Sequence, residues 1–329
     1  MNMEVFFLGT NASTPHRDRF LPSIVVRRKG KLFMFDCGEG TQYRFLQSGL
    51  GVNKDMKIFI THMHGDHYFG LPGLIQTFAL LGRTKPLHIF GPTSLGKVLR
   101  SFLEETKIKI SYPLHFTEVK EGVLVDDREY QVKAVMTSHT IVNFAYAIEE
   151  KPRPGRFNRE KAEKLGVPRG RLWKKLQLGY PVKTPSGRIV TPEEVLGPPR
   201  EGIKIVYSGD TRYCEKLIEF SQRADVLIHD STFEDKLESD AIESGHSTAS
   251  QAAEVAKKAG TRFLFLFHYS SRYSEDLVNL LRDSRKVFYR SFLSVDGMAI
   301  EVKKRDSGSV MLLFKKLRFK DLPVEVRFL

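Results

Sequence analysis

Residues 57–67 read Lys57-Ile58-Phe59-Ile60-Thr61-His62-Met63-His64-Gly65-Asp66-His67. The apolar run at 58–60 predicts a buried strand, and His62, His64, Asp66 and His67 follow as soon as it ends. Gly65 predicts a sharp turn, so these side chains can converge instead of alternating across a sheet. Neutral imidazole suits zinc, and a carboxylate either ligates a metal or takes a proton from water beside one. A polar surface loop does not call for these residue types at a strand end, so the stretch is read as a metal site.

Other strand ends repeat the theme. Strands are predicted over 3–8, 22–27 and 31–36, the last running into Asp36-Cys37-Gly38-Glu39-Gly40-Thr41-Gln42 and a short helix. After the metal stretch come a helix at 73–81, a strand at 87–90 and a helix at 94–105. Antiparallel strands are expected over 113–119, 123–125 and 130–136, ending in Thr137-Ser138-His139. Further on, 203–207 leads into Ser208-Gly209-Asp210-Thr211 and 226–228 into His229-Asp230-Ser231-Thr232. The strand at 263–267 leads into His268-Tyr269-Ser270. Ser247 or Thr248 caps an Ala-rich helix at 249–259. A helix at 274–283 and strands at 286–290 and 298–303 finish the core. Strands lead both halves and helices follow several of them, which predicts two sheets face to face with helices outside.

His62, His64, Asp66, His67, His139, Asp210 and His268 therefore stand at four strand ends, as a site built on a rigid scaffold requires. Seven ligands exceed the three or so that one catalytic zinc takes from protein. Two metals about 3.5–4 Å apart account for the surplus. Such ligands also tolerate manganese or iron.

Residues 151–200 differ in kind. They hold eight of the 15 prolines, and thirteen Lys and Arg against four Glu leave them +9 of the chain's +13. They are read as a protruding arm inserted into one domain spanning 1–329, with short helices near 159–165 and 171–178. The excess of cations implies an acidic partner, nucleic acid before lipid. Two cysteines, no long apolar h-region and no stretch long enough to span a membrane suit a cytoplasmic protein. Arg305–Leu329 reads as a C-terminal extension, an added hairpin or part of an interface.

Thr61–His67 resembles the signature of the metallo-β-lactamase superfamily. Asp36–Gln42 and Ser208–Thr211 narrow the likeness to ribonuclease Z, the tRNA 3′-end endonucleases, over about residues 5–300 including the arm. The resemblance implies an α/β fold, a four-layer αβ/βα sandwich with two zinc ions per subunit at the strand ends. His62, His64 and His139 would hold one; Asp66, His67 and His268 the other; Asp210 would bridge them. Asp66 would accept the proton, and His246, followed by Ser247-Thr248, would act at the leaving group. The family's His-Glu-Ala-Thr loop stands here as His229-Asp230-Ser231-Thr232. The shorter carboxylate alters the reach of Asp230 to His246, and His229 reads as a core histidine. Lys151–Phe157 and Leu165–Gly170 resemble the family's tRNA-binding exosite, although Gly170-Arg171 replaces its Gly-Pro. Arg153, Arg156, Lys161, Lys164, Arg169, Arg171, Lys174 and Lys175 are the candidate phosphate contacts. A homodimer is implied by the likeness alone.

The expected function is removal of the 3′ trailer from precursor tRNA by a hydroxide that two metals activate. It would leave a 3′-hydroxyl on the tRNA and a 5′-phosphate on the trailer. A small-ester hydrolase of the same fold explains the metals but not the basic arm. A non-catalytic RNA-binding protein explains the charge but not seven intact ligands beside His246.

Overall fold

A computed structural model describes residues 2–273, 276–305 and 307–317. The chain forms two compact units: the first from residues 1–149, 203–303 and 310 onward, the second from 150–202 with 304–309.

The first unit opens with β1 (Asn2–Gly9), β2 (Ser23–Arg28), β3 (Lys31–Phe35), α1 (Thr41–Gln47) and β4 (Met56–Phe59). After α2 (Gly65–Tyr68) and α3 (Gly70–Leu80) come β5 (Leu87–Gly91), α4 (Thr93–Thr106) and β6 (Leu114–Glu118). Then follow β7 (Gly122–Asp126), β8 (Tyr130–Met136) and β9 (Phe144–Glu150). The second unit holds α5 (Arg159–Lys164), α6 (Arg171–Gln177), β10 (Val182–Lys183), β11 (Ile189–Val190) and α7 (Pro192–Val195). The first unit resumes with β12 (Lys204–Tyr207), α8 (Glu215–Phe220), β13 (Val226–Asp230), α9 (Glu238–Ser244) and α10 (Ala249–Lys258). It ends with β14 (Phe263–Phe267), α11 (Val278–Val287), β15 (Ser291–Leu293), β16 (Met298–Lys304) and β17 (Val310–Lys316).

Two mixed sheets result, ordered β17-β16-β1-β2-β3-β4-β5-β6 and β15-β14-β13-β12-β9-β8-β7. Phe7, Phe35, Phe59, Tyr146, Tyr207 and Phe265 belong to one buried cluster that draws on strands of both sheets. A second cluster joins the first sheet to α1, α3 and α4, and a third joins the other sheet to α8, α10 and α11. The order is helix, sheet, sheet, helix. The central strands are mostly buried because both faces are covered, and β14 (Phe263–Phe267) is apolar along its whole length.

Residues 113–119 do not pair with 123–125 as expected. β6 runs parallel to β5 in the first sheet, whereas β7 pairs with β8 in the second, so the chain changes sheets between them. β9 lies where no strand was expected. Helix α11 reaches Val287, so the strand expected at 286–290 lies later, at β15. β17 borders β16 at one edge of its sheet. Residues 318–329, including Val324-Glu325-Val326, lie outside the described residues.

The second unit has a small core of its own, made by Ala162, Val167, Leu176, Val182, Val190 and Val195. Asn158 caps α5 by accepting from the Lys161 N–H. Its predicted phosphate contacts lie outside that core, with Arg153 half-buried and Arg156, Lys161, Lys164, Arg169, Arg171, Lys174 and Lys175 exposed.

Candidate metal centre

All seven expected ligands come from ends of the first unit's strands. β4 delivers His62 and His64, and α2, a single helical turn, carries Asp66 and His67. Convergence comes from that turn. Gly65 opens α2 and does not adopt a positive φ. What requires glycine there is the Phe69 ring, since a Cβ on Gly65 would lie 2.3 Å from its Cε2. β8, β12 and β14 deliver His139, Asp210 and His268. His268 and Asp36 leave their strands with φ of 65° and 58°, a left-handed conformation that costs a non-glycine residue roughly 1–2 kcal/mol.

The ligand atoms are crowded. His64 Nδ1 lies 3.0 Å from His62 Nε2 and 3.1 Å from His139 Nε2. His62 Nε2 is 3.6 Å from Asp210 Oδ2. On the other side, His67 Nε2 and His268 Nε2 are 3.3 Å apart. Asp66 Oδ2 stands 3.6 and 3.4 Å from those nitrogens, and Asp210 Oδ2 stands 3.2 and 3.4 Å from them. Asp210 thus belongs to both groups.

The outer hydrogen bonds fix which ring nitrogen faces inward. His139 Nδ1 donates to Gly245 O (2.7 Å) and His67 Nδ1 to Asp36 Oδ2 (2.8 Å). The Thr61 hydroxyl donates to Asp36, so it accepts from His62 Nδ1 at 2.9 Å. The Thr232 hydroxyl donates to Asp230 Oδ1 and accepts from His268 Nδ1 at 2.9 Å. Four imidazoles therefore present Nε2 to the cluster, the arrangement that metal-ligating histidines adopt. Gly245 must be glycine for this contact, because it has φ +87° and a Cβ would sit 2.7 Å from His139 Nδ1.

Sequence reasoning missed Asp36 as a contributor. Besides His67, it accepts from the Thr61 N–H and hydroxyl and from the Tyr207 hydroxyl at 2.8 Å. β3 lies parallel beside β4 with Phe35 opposite Phe59, which brings Asp36 beside Ile60 and within reach of Thr61. Its quoted motif was the only available signal. The Asp230–His246 contact was also undervalued, since His246 Nδ1 lies 2.9 Å from Asp230 Oδ2. The shorter side chain reaches because Asp230 ends a buried strand and accepts from the Thr211 and Thr232 N–H groups, which aim it. His229 is buried, with Nδ1 donating to Asp230 O.

Charge follows geometry. Burial pushes His62, His64 and His139 below the usual imidazole range. Burial also works against charge on Asp66 and Asp210, but the imidazoles around them prevail and keep both carboxylates ionised far below their ordinary range. At His67, burial is outweighed by Asp210, Asp66 and Asp36, which favour a positive charge at that spot. Burial likewise opposes a proton on His246, yet Asp230 prevails and lifts its pKa to about 9.

The donor set fits metal ions. Three groups of nitrogen and oxygen atoms lie within 4.8 Å of one another, among them His62/His64/His139/Asp210 and Asp66/His67/His268. Asp210 Oδ1 is buried with no hydrogen-bond partner among the described residues, an orphan that a cation would satisfy. Beside the cluster opens a cleft of about 500 Å³, lined by Ser13, Pro15, Leu21, Phe69, Asp66 and His246 among others. The Ser13 N–H donates to Asp66 Oδ2 at 2.8 Å.

Comparison with known proteins places this geometry. Residues 181–269 match the family described as "Beta-lactamase superfamily domain", and residues 3–151 match "Anti-Pycsar protein Apyc1". The chain is 46% identical over 303 residues to ribonuclease Z of Methanosarcina acetivorans, covering 92% of this chain and 99% of the relative. It is 45% identical over 306 residues to ribonuclease Z of Methanothermobacter thermautotrophicus, covering 93% and 99%. Human tRNase Z, short form, superposes with a TM-score of 0.65 at 27% identity, covering 90% of this chain and 98% of the human one. No helix among the described residues is long and apolar enough to cross a membrane. The chain has the metallo-β-lactamase fold and belongs to the ribonuclease Z family of tRNA 3′-processing endonucleases.

Proposed function

We propose that this chain hydrolyses the phosphodiester joining a tRNA to its 3′ trailer, leaving a 3′-hydroxyl on the tRNA and a 5′-phosphate on the trailer. The observation that carries the reading is a buried His/Asp cluster with His246 held beside it by Asp230. His62, His64 and His139 would hold one metal and Asp66, His67 and His268 a second, with Asp210 shared; zinc is the expected ion. Bound there, such ions supply Lewis acidity toward phosphoryl oxygens and make water a nucleophile near neutral pH.

The protein's own groups move the protons. Asp66, ionised and steadied by the Ser13 N–H, accepts the proton of the attacking water. His246, kept protonated by Asp230, gives its proton to the departing O3′. Because Nδ1 is engaged by Asp230, Nε2 is the nitrogen available to the substrate.

Residues 151–200 would act as a protruding arm that grips the tRNA through phosphates, contacts that position without reading sequence. Support comes from the exposed cations of α5 and α6 and from a cleft of about 500 Å³ in the second unit, lined by Arg153, Arg156, Arg159 and Arg200 among others. A homodimer fits the exposed apolar Tyr43, Leu46, Leu80 and Leu81 on α1 and at the end of α3, and sedimentation at the monomer mass would contradict it. Free Cys37 and Cys214 suit the cytoplasm. The test is cleavage of a precursor tRNA with both new ends mapped and the metal content measured. A 3′-phosphate on the tRNA, or no cut by metal-loaded protein, refutes the proposal.

A further inference from the structure

Phe69 is 61% exposed, and it lines the same cleft as His64, Asp66, Asp210 and His246. An apolar ring in so polar a site is costly to leave wet unless something covers it. Its position is fixed rather than incidental. The Phe69 N–H donates to Gly65 O at 2.9 Å, and the ring lies so close over Gly65 that a Cβ there would meet Cε2, Cζ and Cδ2 at 2.3–2.8 Å. The Tyr68 ring stands edge-on to it, with centroids 4.9 Å apart and planes at 68°. Pro15 and Leu21 add apolar surface to the same cleft. The result is a clamped aromatic ring next to the residue that carries Asp66.

A flat, rigid aromatic beside a phosphodiester site is the surface on which an unpaired base stacks. The side of the cut follows from the proton path. His246 serves the departing O3′ of the tRNA and is anchored by Asp230 at the end of β13, with its ring 5.1 Å from that of His139. Phe69 instead belongs with Gly65 and Asp66, where the attacking water loses its proton. An in-line displacement sets these two oxygens on opposite sides of the phosphorus, so the ring lies away from the tRNA's last base.

We propose that Phe69 is the stacking platform for the first base of the trailer. The proposal rests on the trailer-removing function above and deepens it. Because base–aromatic stacking contributes about 1–3 kcal/mol, Phe69→Ala is expected to lower kcat/KM on intact precursor tRNA about 5- to 150-fold. Phe69→Trp should restore the rate.

The deciding comparison uses metal-loaded protein on precursor tRNA with an abasic first trailer nucleotide. On that substrate wild type and Phe69→Ala should cut at equal rates. With an abasic last tRNA nucleotide instead, the full penalty should persist. A penalty that survives loss of the trailer base, or that vanishes with loss of the tRNA base, overturns the proposal. Failure of wild type to cut the intact precursor would refute the function itself, a separate outcome. Equal metal content in the two proteins ties the difference to stacking rather than to a damaged centre.

Discussion

The two units of this chain handle charge in opposite ways. In the first, imidazoles and carboxylates are packed within a few ångströms of one another. Most are buried, and His62, His67, His139 and His268 each have Nδ1 tied to a named oxygen. In the second, a small apolar core carries short helices whose cations face water. Bond-breaking chemistry needs atoms held to fractions of an ångström, so the first unit accepts the strain of Asp36 and His268 to fix them. If the second unit grips the tRNA as proposed, holding a long polyanion needs only a field, which exposed lysines supply. Substitutions should therefore separate into two kinds, those that stop cleavage without changing salt dependence and those that do the reverse.

Asp66→Ala should give the largest effect. Removing a general base lowers rates typically 10²–10⁴-fold, and this residue also belongs to a ligand group. Single-turnover cleavage should fall by at least that range, while the slope of log affinity against log salt stays at the wild-type value. A variant that cuts within tenfold of wild type removes Asp66 from the mechanism. One that changes the salt slope breaks the division between the units.

Asp230→Asn comes next. With Asp230 in place His246 is protonated up to about pH 9. If it donates a proton, the rate falls on the alkaline side as His246 loses its charge. Neutralising Asp230 should move that fall to lower pH, toward the ordinary imidazole value of about 6.5. The alkaline limb of the kcat profile should shift down by one to two units, with roughly a 2- to 10-fold loss at pH 8. An unmoved limb would leave His246 without the acid's role.

How much of this was readable beforehand follows the same division. His62 through His67 were legible because their spacing is local, and His139, Asp210 and His268 because each follows a recognisable strand. Asp36 and Tyr207 were not, since their function arises from pairings the linear order does not announce. Asp36 reaches His67 and Thr61 because β3 runs beside β4, and Tyr207 reaches Asp36 from the opposite sheet. Inside its strand Tyr207 reads simply as another apolar residue. The misplacement of 113–119 has a similar cause. Local pattern distinguishes strand from helix, but it does not say to which sheet a strand belongs. Gly65 was noticed for its flexibility, when its lack of a side chain is what the Phe69 ring needs.

The smallest effects belong to the second unit, and there the cations are not equivalent. Lys174 and Lys175 are exposed on α6, and neither has an ion-pair partner among the described residues. Replacing both by Ala should leave saturating single-turnover cleavage near wild type. Each lost phosphate contact should lower the salt slope by about 0.7–0.9, which weakens binding about threefold per contact at 50 mM salt relative to 200 mM. Arg169 is different, because its guanidinium already meets Glu163 at 2.7 Å and lies 5.7 Å from the Trp173 ring centroid. A phosphate must compete with that carboxylate, so Arg169→Ala should change the slope less than either lysine does. Glu163→Gln should act in the opposite direction, releasing Arg169 and steepening the slope. If Arg169→Ala costs as much as Lys174→Ala, or Glu163→Gln weakens binding, the surface acts through particular pairings, and the contrast with the fixed metal centre narrows to one of degree.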